Sequence, residues 1–324
     1  MHILLLGAGA VGQVYGHHLQ RAGAQVDCLV RAKYVSEARA GFKLYRLQSK
    51  RSHDPRSFTP KQVFSEIDQL AGQSFDQLWL CIPTDALEDT WLAALADVLP
   101  ESTTIVSLQP GLDVAERLRR HFGDRPIVSG LIGMVSYQTP LAGDTQSLPP
   151  GVAYYLPPFA PSVFSGPPGV TSWIGTTLRL AGCPARLDAD AGANAAFASC
   201  LLMPHMVALE MADWSLSNMW QRGLGAVAAQ ACREATVAVA RQLGARPPWY
   251  RFLFRAWLFR CVFVVARRFA PFALEPYLAY HFGKVRGQTQ LMMTSYRDCA
   301  TRFGLPSDSL TQLFQGAFKS ELPE

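Results

Sequence analysis

The sequence predicts an α/β chain in which a doubly wound parallel sheet is followed by an all-α domain. A glycine-rich turn joins an apolar strand to a helix near the N-terminus, strands then alternate with helices to about residue 139, and only helical periodicity follows residue 190. This alternation is typical of a parallel sheet with helices on both faces. A chain of 324 residues is long enough to form two hydrophobic cores. We therefore predict an α/β domain at 1–188 and a helical domain at 189–324.

The first domain begins with a strand at 2–6, a helix that ends before Gly23, and a second buried strand at 25–30. Later strands are predicted at 77–82, 104–108, 126–131 and 185–187, with helices at 86–99, 113–121 and 171–181. The stretch 139–169 is rich in Pro, Gly and Ser, so we expect only short edge strands and loops there.

The second domain is predicted to begin at Asp190, a residue type that favours helix N-caps. Its helices are expected at 191–214, 226–243, 250–268 and 288–303. The segment 250–269 is apolar and aromatic but also contains five arginines, so a membrane-surface helix is one interpretation. Arg255 and Arg260 interrupt the apolar run, and the arginines form no single basic face. We therefore predict a buried helix, part of it serving as a dimer face or a lid over a hydrophobic substrate, and no membrane span.

Composition and charge exclude several classes of protein. The net charge of +5 is modest and dispersed, which argues against nucleic-acid binding. The seven cysteines are scattered and never form a CxxC pair, so we expect reduced core thiols and no metal site. The N-terminus has no basic leader or cleavage site, which indicates a cytoplasmic protein.

The main functional motif is the run Gly7, Ala8, Gly9, Ala10, Val11, Gly12, which lies between a strand and a helix. In this context GxGxxG is typical of dinucleotide binding, because its glycines permit a tight turn, close approach of a pyrophosphate and close helix packing. The helix N-terminus offers free N–H groups to the phosphates. The alternative is a turn that serves packing alone.

The end of the second strand indicates which dinucleotide binds. An NAD site usually has a carboxylate there, whereas this strand ends at Arg31 and is followed by Lys33. A guanidinium suits the 2′-phosphate of NADP(H), so we predict NADP(H) as cofactor. Arg31 as a solvated surface residue is the alternative. Asp27 lies within the strand, where we expect it to face a structural partner.

These features together resemble the ketopantoate reductase (2-dehydropantoate 2-reductase) family, whose members have a Rossmann domain followed by a helical domain. The resemblance also includes the segments 78–83 and 109–112, and the Cys200 to Pro204 spacing. It implies an NADPH-dependent reductase. It also implies that Pro83, Gln109 and Pro110 lie beside the cofactor, with prolines where the family has Lys and Asn.

The resemblance also implies that much of the proton-transfer machinery is replaced. The family's catalytic lysine aligns with Ala195, its two substrate-binding asparagines with Ser199 and Met203, and a glutamate with Gln288. Residues 189–220 contain no lysine. The chain is therefore a divergent relative without the usual catalytic residues.

Hydride transfer needs only a correctly placed nicotinamide, so the lost lysine does not exclude redox chemistry. We predict reduction of a carbonyl or imine in a moderately hydrophobic small molecule other than ketopantoate, by a homodimer. His205 is the candidate acid, since imidazole titrates near neutral pH, with Ser199 and Gln288 as orienting groups. A non-catalytic NADP(H)-binding sensor or scaffold is the second hypothesis. Genuine ketopantoate reductase, with Lys284 as replacement, is the third.

Overall fold

The computed structural model describes residues 1–144 and 148–318. Within these ranges the chain forms two compact units, one built from residues 1–140 and 148–194 and the other from residues 141–144 and 195–318. The first unit is α/β and the second is helical. The predicted fold class is thereby confirmed.

The first unit contains all the strands that the structure describes. They are β1 (His2–Leu6), β2 (Gln25–Leu29), β3 (Phe42–Ser49), β4 (Ser52–Phe58), β5 (Val63–Phe64), β6 (Gln77–Leu80), β7 (Thr104–Ser107), β8 (Ile127–Leu131), β9 (Val135–Thr139), β10 (Gly151–Tyr155), β11 (Ser162–Ser165) and β12 (Ala185–Leu187). Its helices are α1 (Ala10–Arg21), α2 (Val35–Ala40), α3 (Asp89–Val98), α4 (Val114–Phe122) and α5 (Pro168–Leu180).

The main sheet has the order β12-β11-β8-β7-β6-β1-β2-β5. All neighbouring strands in it are parallel except β11, which runs antiparallel to β8. The strand order reverses at β1, which lies between β2 and β6. Leu6 pairs with both Leu29 and Leu80, so the three strands end at the same level. In open α/β sheets, ligands bind at such a reversal, outside the carboxyl ends of the strands.

A second sheet, of order β4-β3-β10-β9, was not predicted from the sequence. The hairpin of β3 and β4 supplies half of it, and β4 is mostly polar and exposed, so it has no apolar alternation to reveal a strand. Phe58, at the end of β4, lies against Gly16 of α1, where an added Cβ would stand 2.5 Å from the ring. This close packing holds the small sheet against α1.

The second unit contains the helices α7 (Leu216–Gln221), α8 (Leu224–Gln242), α9 (Ala256–Phe269), α10 (Leu274–Lys284), α11 (Arg286–Arg302) and α12 (Asp308–Phe318). Helix α6 (Ala191–Glu210) precedes them, and the change from one unit to the other falls within it. Asp190 caps α6 as predicted, because its Oδ1 accepts a hydrogen bond of 2.8 Å from the N–H of Ala193. Helices α7, α10 and α12 were not predicted.

Helix α6 is the one helix in the described part of the chain that is long and apolar enough to cross a membrane. Length and composition alone support that possibility, and 61% of its most apolar window is buried inside the protein. The core helix of a globular protein meets the same criteria.

The prediction of a buried helix at 250–268 is wrong in two respects. The segment Trp249–Leu253 forms a short 3₁₀ helix, and the α-helix begins only at Ala256. No residue of α9 is fully buried. Phe259 and Phe263 on its inner side pack against His205, while aromatic and branched side chains on the other sides remain exposed.

Candidate functional site

The glycine loop lies at the carboxyl end of β1, at the point where the sheet order reverses. The N–H of Gly7 donates to the carbonyl of Leu29 at 3.0 Å, and the N–H of Cys81 donates to the carbonyl of Leu6 at 2.9 Å. The loop is therefore fixed to the ends of both neighbouring strands. Residues 7–11 are all partly exposed.

Two of the three glycines are required by the fold itself. Gly7 has φ of +91°, and a Cβ added to it would stand 2.7 Å from Cγ2 of Ile82. A Cβ added at Gly12 would stand 2.3 Å from the carbonyl oxygen of Gly7. Any side chain at either position would therefore push α1 away from the end of β1.

Gly9 differs from the other two glycines. Its φ of −71° is open to any residue, and a Cβ added there would meet nothing within 4 Å. Neither strain nor packing within the protein explains a glycine at this position. A ligand that approaches the backbone closely would explain it, which is the role of the second glycine in dinucleotide-binding loops of this type.

The N-terminus of α1 is suited to an anion. Gly9 is its N-cap and offers no side-chain cap, and the first turn contains no acidic residue. The first N–H groups of an α-helix have no acceptor within the helix and carry partial positive charge. Gln13 is buried, and its Nε2 donates to the carbonyl of Ala8 at 2.8 Å, which fixes the loop. Sequence reasoning did not identify Gln13 because nothing in the motif marks it.

The ends of β6 and β7 form the adjoining part of this edge. Nε2 of the buried Gln109 donates to the carbonyls of Leu80 and Ile82, at 2.9 and 2.7 Å. Its Oε1 accepts from Oγ of Ser107 at 2.8 Å. All polar groups of this side chain are thus used to join the two strands. The predicted contact of Gln109 with a cofactor therefore depends on its backbone.

Pro83 and Pro110 are partly exposed residues that follow the same two strands. Thr84, which sequence reasoning did not identify, is buried between them, and its Oγ1 donates to the carbonyl of Pro110 at 2.8 Å. This hydrogen bond brings the loops after β6 and β7 together at the carboxyl edge of the sheet.

Arg31 and Lys33 follow the end of β2, and both are exposed. The backbone carbonyl of Arg31 accepts a hydrogen bond from the N–H of Tyr34 at 2.8 Å, but its guanidinium makes no hydrogen bond or ion pair with the residues that the structure describes. Nζ of Lys33 lies 4.9 Å from the ring centroid of Tyr34. Asp27 is fully buried, and its carboxylate contacts Nε2 of His2 at 2.7 Å and the N–H of Gln62 at 3.0 Å. The prediction that Asp27 faces a structural partner is confirmed.

His205, the predicted acid, lies inside the helical unit and is 1% exposed. Its Nδ1 is 2.9 Å from the carbonyl oxygen of Leu201 and 3.3 Å from Sγ of Cys232. A carbonyl only accepts, so Nδ1 carries the hydrogen and Nε2 presents a lone pair, for which the described residues offer no partner. Burial lowers the pKa of His205 to about 4. This neutral imidazole suits a hydrogen-bond acceptor better than an acid, and its catalytic role stays a prediction.

Ser199 is also buried in the helical unit. Its Oγ donates to the carbonyl of Ala196 at 2.6 Å, so the hydroxyl of Tyr296, also 2.6 Å away, is the donor in their shared hydrogen bond. Burial raises the pKa of Tyr296 well above its usual value, which keeps that hydroxyl protonated. Ala195 is buried too, whereas Gln288 is partly exposed in the first turn of α11.

The seven cysteines are all free. Five are buried, Cys81 is partly buried and Cys261 is exposed, so the expectation of core thiols is wrong for Cys261. Within residues 1–144 and 148–318, no group of three or more His, Cys, Asp and Glu side chains is placed to hold a metal ion.

The sheet order and the glycine loop define the class of the first unit as a Rossmann domain. Residues 3–145 match the family profile described as ketopantoate reductase PanE/ApbA. The predicted resemblance to the ketopantoate reductase family is confirmed, and the N-terminal part of the chain is a domain of this family. Members of this family are oxidoreductases that act on CH–OH or CH–NH groups.

Solved structures share the fold along nearly the whole chain. A PanE/ApbA family ketopantoate reductase from Ralstonia eutropha JMP134 is 18% identical, with a TM-score of 0.73 over 97% of this chain and 96% of its own. A 2-dehydropantoate 2-reductase from Methylococcus capsulatus is 17% identical, with a TM-score of 0.67 over 97% and 94%. A D-mandelate dehydrogenase, solved with NADH and anilino(oxo)acetate, is 13% identical, with a TM-score of 0.69 over 99% and 98%. The search among curated proteins gave no match.

The low pKa of His205 predicts a pH dependence of stability. The unfolded histidine titrates near 6.5 and the folded one near 4, so the unfolded chain binds more protons between these values and stability falls as the pH falls through them. We expect the free energy of unfolding in urea to fall between pH 7 and pH 5 by about 2 kcal/mol more in wild type than in His205→Gln. Gln keeps a donor for Leu201 but does not titrate, and the other histidines contribute equally to both proteins. Equal losses would show that His205 titrates normally in the folded protein.

Proposed function

We propose that this protein is an NADP(H)-dependent oxidoreductase that transfers a hydride between the nicotinamide and a carbonyl or imine carbon of a small, moderately hydrophobic compound other than ketopantoate. The observation that carries the proposal is the glycine loop. It combines uncapped helix amides with an open space at Gly9 that the protein's own packing does not require.

Each part of the proposed cofactor site has a physical role. The first-turn amides of α1 hold the diphosphate. Arg31 binds the 2′-phosphate as a forked donor, and Lys33 adds a second positive charge. Pro83 and the backbone of Gln109 and Pro110 border the nicotinamide half. The bound cofactor supplies the hydride, and the protein supplies position and electrostatics.

The choice of NADP(H) over NAD(H) depends on Arg31 and not on the fold. The D-mandelate dehydrogenase that shares this fold was solved with NADH. In the present chain the one carboxylate within β2, Asp27, is buried against His2 and Gln62. It is therefore not placed to accept a hydrogen bond from the ribose 2′-hydroxyl, which favours the phosphorylated cofactor.

The proposed substrate class follows from the helical unit. Ala195 and Met203 are buried apolar residues where the resemblance places a lysine and an asparagine. An apolar wall suits a less polar substrate than a small keto acid. Without a lysine acid, an iminium substrate that already carries its proton has an advantage, because general acid catalysis typically contributes about 10²- to 10⁴-fold.

A second candidate function is a non-catalytic NADP(H)-binding sensor or scaffold. It is favoured by the internal hydrogen bonds of Ser199 and by the neutral, buried state of His205, which leave neither side chain placed as a proton donor. Genuine ketopantoate reductase would require a replacement such as the exposed Lys284. The cytoplasmic homodimer predicted from the sequence stays a prediction.

Turnover separates these functions. We expect the purified protein to oxidise NADPH, followed at 340 nm, with at least one member of a panel of ketones, keto acids and cyclic imines, and faster with imines than with ketopantoate. NADPH binding without any turnover would support the sensor and contradict the enzyme. Ketopantoate as the best substrate would support the third function.

Gly9→Ala tests the role assigned to the loop. Because a Cβ there meets nothing within 4 Å, the unfolding free energy of the free protein should change by less than about 0.5 kcal/mol. NADPH affinity, measured by titration calorimetry, should fall on the order of tenfold or more, since the methyl group would occupy the space proposed for the pyrophosphate. Gly12→Ala is the matched contrast, because it should also destabilise the free protein. Unchanged affinity in Gly9→Ala would place the cofactor elsewhere.

Arg31→Ala tests the choice of cofactor. Loss of one charge-assisted hydrogen bond to a phosphate should lower NADPH affinity about tenfold or more and leave NADH affinity nearly unchanged. Arg39→Ala, which removes an exposed arginine of α2, serves as control for net charge. A similar fall for both cofactors, or in both variants, would contradict the assignment of Arg31 to the 2′-phosphate.

A further inference from the structure

The segment 249–269 has a large exposed apolar surface. Six of its side chains, which we call the aromatic patch, are between 55% and 73% exposed. They are Trp249, Phe252, Trp257, Val264, Val265 and Phe269. Single exposed apolar residues are common, but six within one short segment point to an interaction surface.

The part of the sequence that contains the aromatic patch is strongly basic. Between Glu234 and Glu275 the chain contains seven arginines and no Lys, Asp or Glu. This stretch therefore carries a formal charge of +7, more than the +5 of the whole chain, so the remainder is slightly acidic. In the sequence, the positive charge is thus concentrated in the stretch that contains the aromatic patch.

The arrangement on α9 places both features on its outer side. Phe259 and Phe263 face inward, against the ring of His205. At about 100° per residue, Trp257, Val264 and Arg268 lie opposite to them. Arg260 lies on the border of that outer side. The outer side of α9 therefore mixes apolar side chains with arginine, so a membrane interface can contact both kinds of side chain at once.

Several of these arginines contact an aromatic ring or a carboxylate. These contacts hold the aliphatic part of the arginine side chain along the protein surface. The guanidinium of Arg251 lies 4.5 Å from the ring centroid of Phe252, and that of Arg268 lies 5.8 Å from the ring centroid of Phe269. Arg267 pairs with Glu275 at 3.6 Å. Long arginine side chains beside such exposed rings can place their charge at the level of lipid headgroups when the rings enter the interface.

We propose that the aromatic patch and its arginines bind the surface of an anionic lipid bilayer, with α9 lying parallel to the membrane plane. A lipid surface matches both features at once: the interface takes up Trp and Phe side chains, and anionic headgroups attract arginine. Helix α9 has 14 residues, which is too short to span a bilayer, so the association is peripheral. This inference is independent of the proposed reaction.

Other partners fit less well. A symmetric contact between two copies would bring two segments of +7 together, and like charges at an interface oppose association. A nucleic acid would use the arginines but would leave most of the aliphatic surface of α9 exposed, because its backbone is polar and charged. The positive charge therefore argues against self-association. The exposed apolar area argues against a nucleic acid as the partner.

Co-sedimentation of the full chain with vesicles tests the proposal. We expect binding to vesicles of phosphatidylcholine with phosphatidylglycerol, much weaker binding to phosphatidylcholine alone, and a fall in binding as salt is raised. The combined variant Arg255→Gln, Arg260→Gln and Arg268→Gln should lower the partition coefficient on the order of 100-fold, about fivefold for each arginine. The double variant Trp257→Ser and Phe269→Ser should lower the partition coefficient at least about tenfold, even at low salt.

Matched controls remove the same groups from the first unit. Arg39→Gln, Arg51→Gln and Arg120→Gln together remove the same charge, and Phe159→Ser removes a side chain that is 96% exposed. Both controls should bind vesicles as wild type does. All substituted side chains are exposed, and matching urea midpoints would show that every variant is folded.

Three outcomes would overturn the proposal. The first is no binding to anionic vesicles, and the second is an equal loss in the control variants, which would indicate a general charge effect. The third is a dimer in vesicle-free solution that Trp257→Ser with Phe269→Ser dissociates, because the aromatic patch would then be a subunit interface. Binding of RNA with no binding of anionic vesicles would also contradict it.

Discussion

The close approach of Gly7 and Gly12 is the constraint on which the candidate cofactor site depends. A single methyl group at position 12 would stand 2.3 Å from the carbonyl oxygen of Gly7, so the first turn of α1 rests directly on the end of β1. Because β2 and β6 end at the same level, this contact places the free amides of α1 at the edge where the sheet order reverses. A short loop thereby fixes the direction of an entire helix.

The same loop contains two glycines that the fold requires and one glycine that it does not. Gly7 and Gly12 are required by backbone conformation and packing, whereas nothing in the protein requires Gly9. The edge beside it is rigid, since Gln109 and Thr84 use their side chains to tie β6 and β7 together. Such an edge is preorganised, which lowers the entropic cost of holding a dinucleotide.

The helical unit has a different chemical character. Its polar side chains at the positions of interest are buried and bonded to each other or to the backbone, as Ser199 is to Tyr296 and His205 is to Leu201. Ser199 and His205 are therefore not placed as proton donors. Seven arginines lie instead in the stretch of sequence that contains the exposed aromatic side chains. This contrast is consistent with chemistry that depends on the cofactor more than on side chains.

The sequence by itself determined the positions of most main strands along the chain, the glycine loop and the helical second part, because these depend on local periodicity and on contacts within about 30 residues. It did not reveal the polar hairpin of β3 and β4, whose strand state depends on pairing with β10. The tertiary structure alone decided the rest. Periodicity shows which residues of α9 share a side, but only packing decides whether that side is covered. Burial lowers the pKa of His205, and one of the rings packed against it belongs to a helix more than fifty residues later.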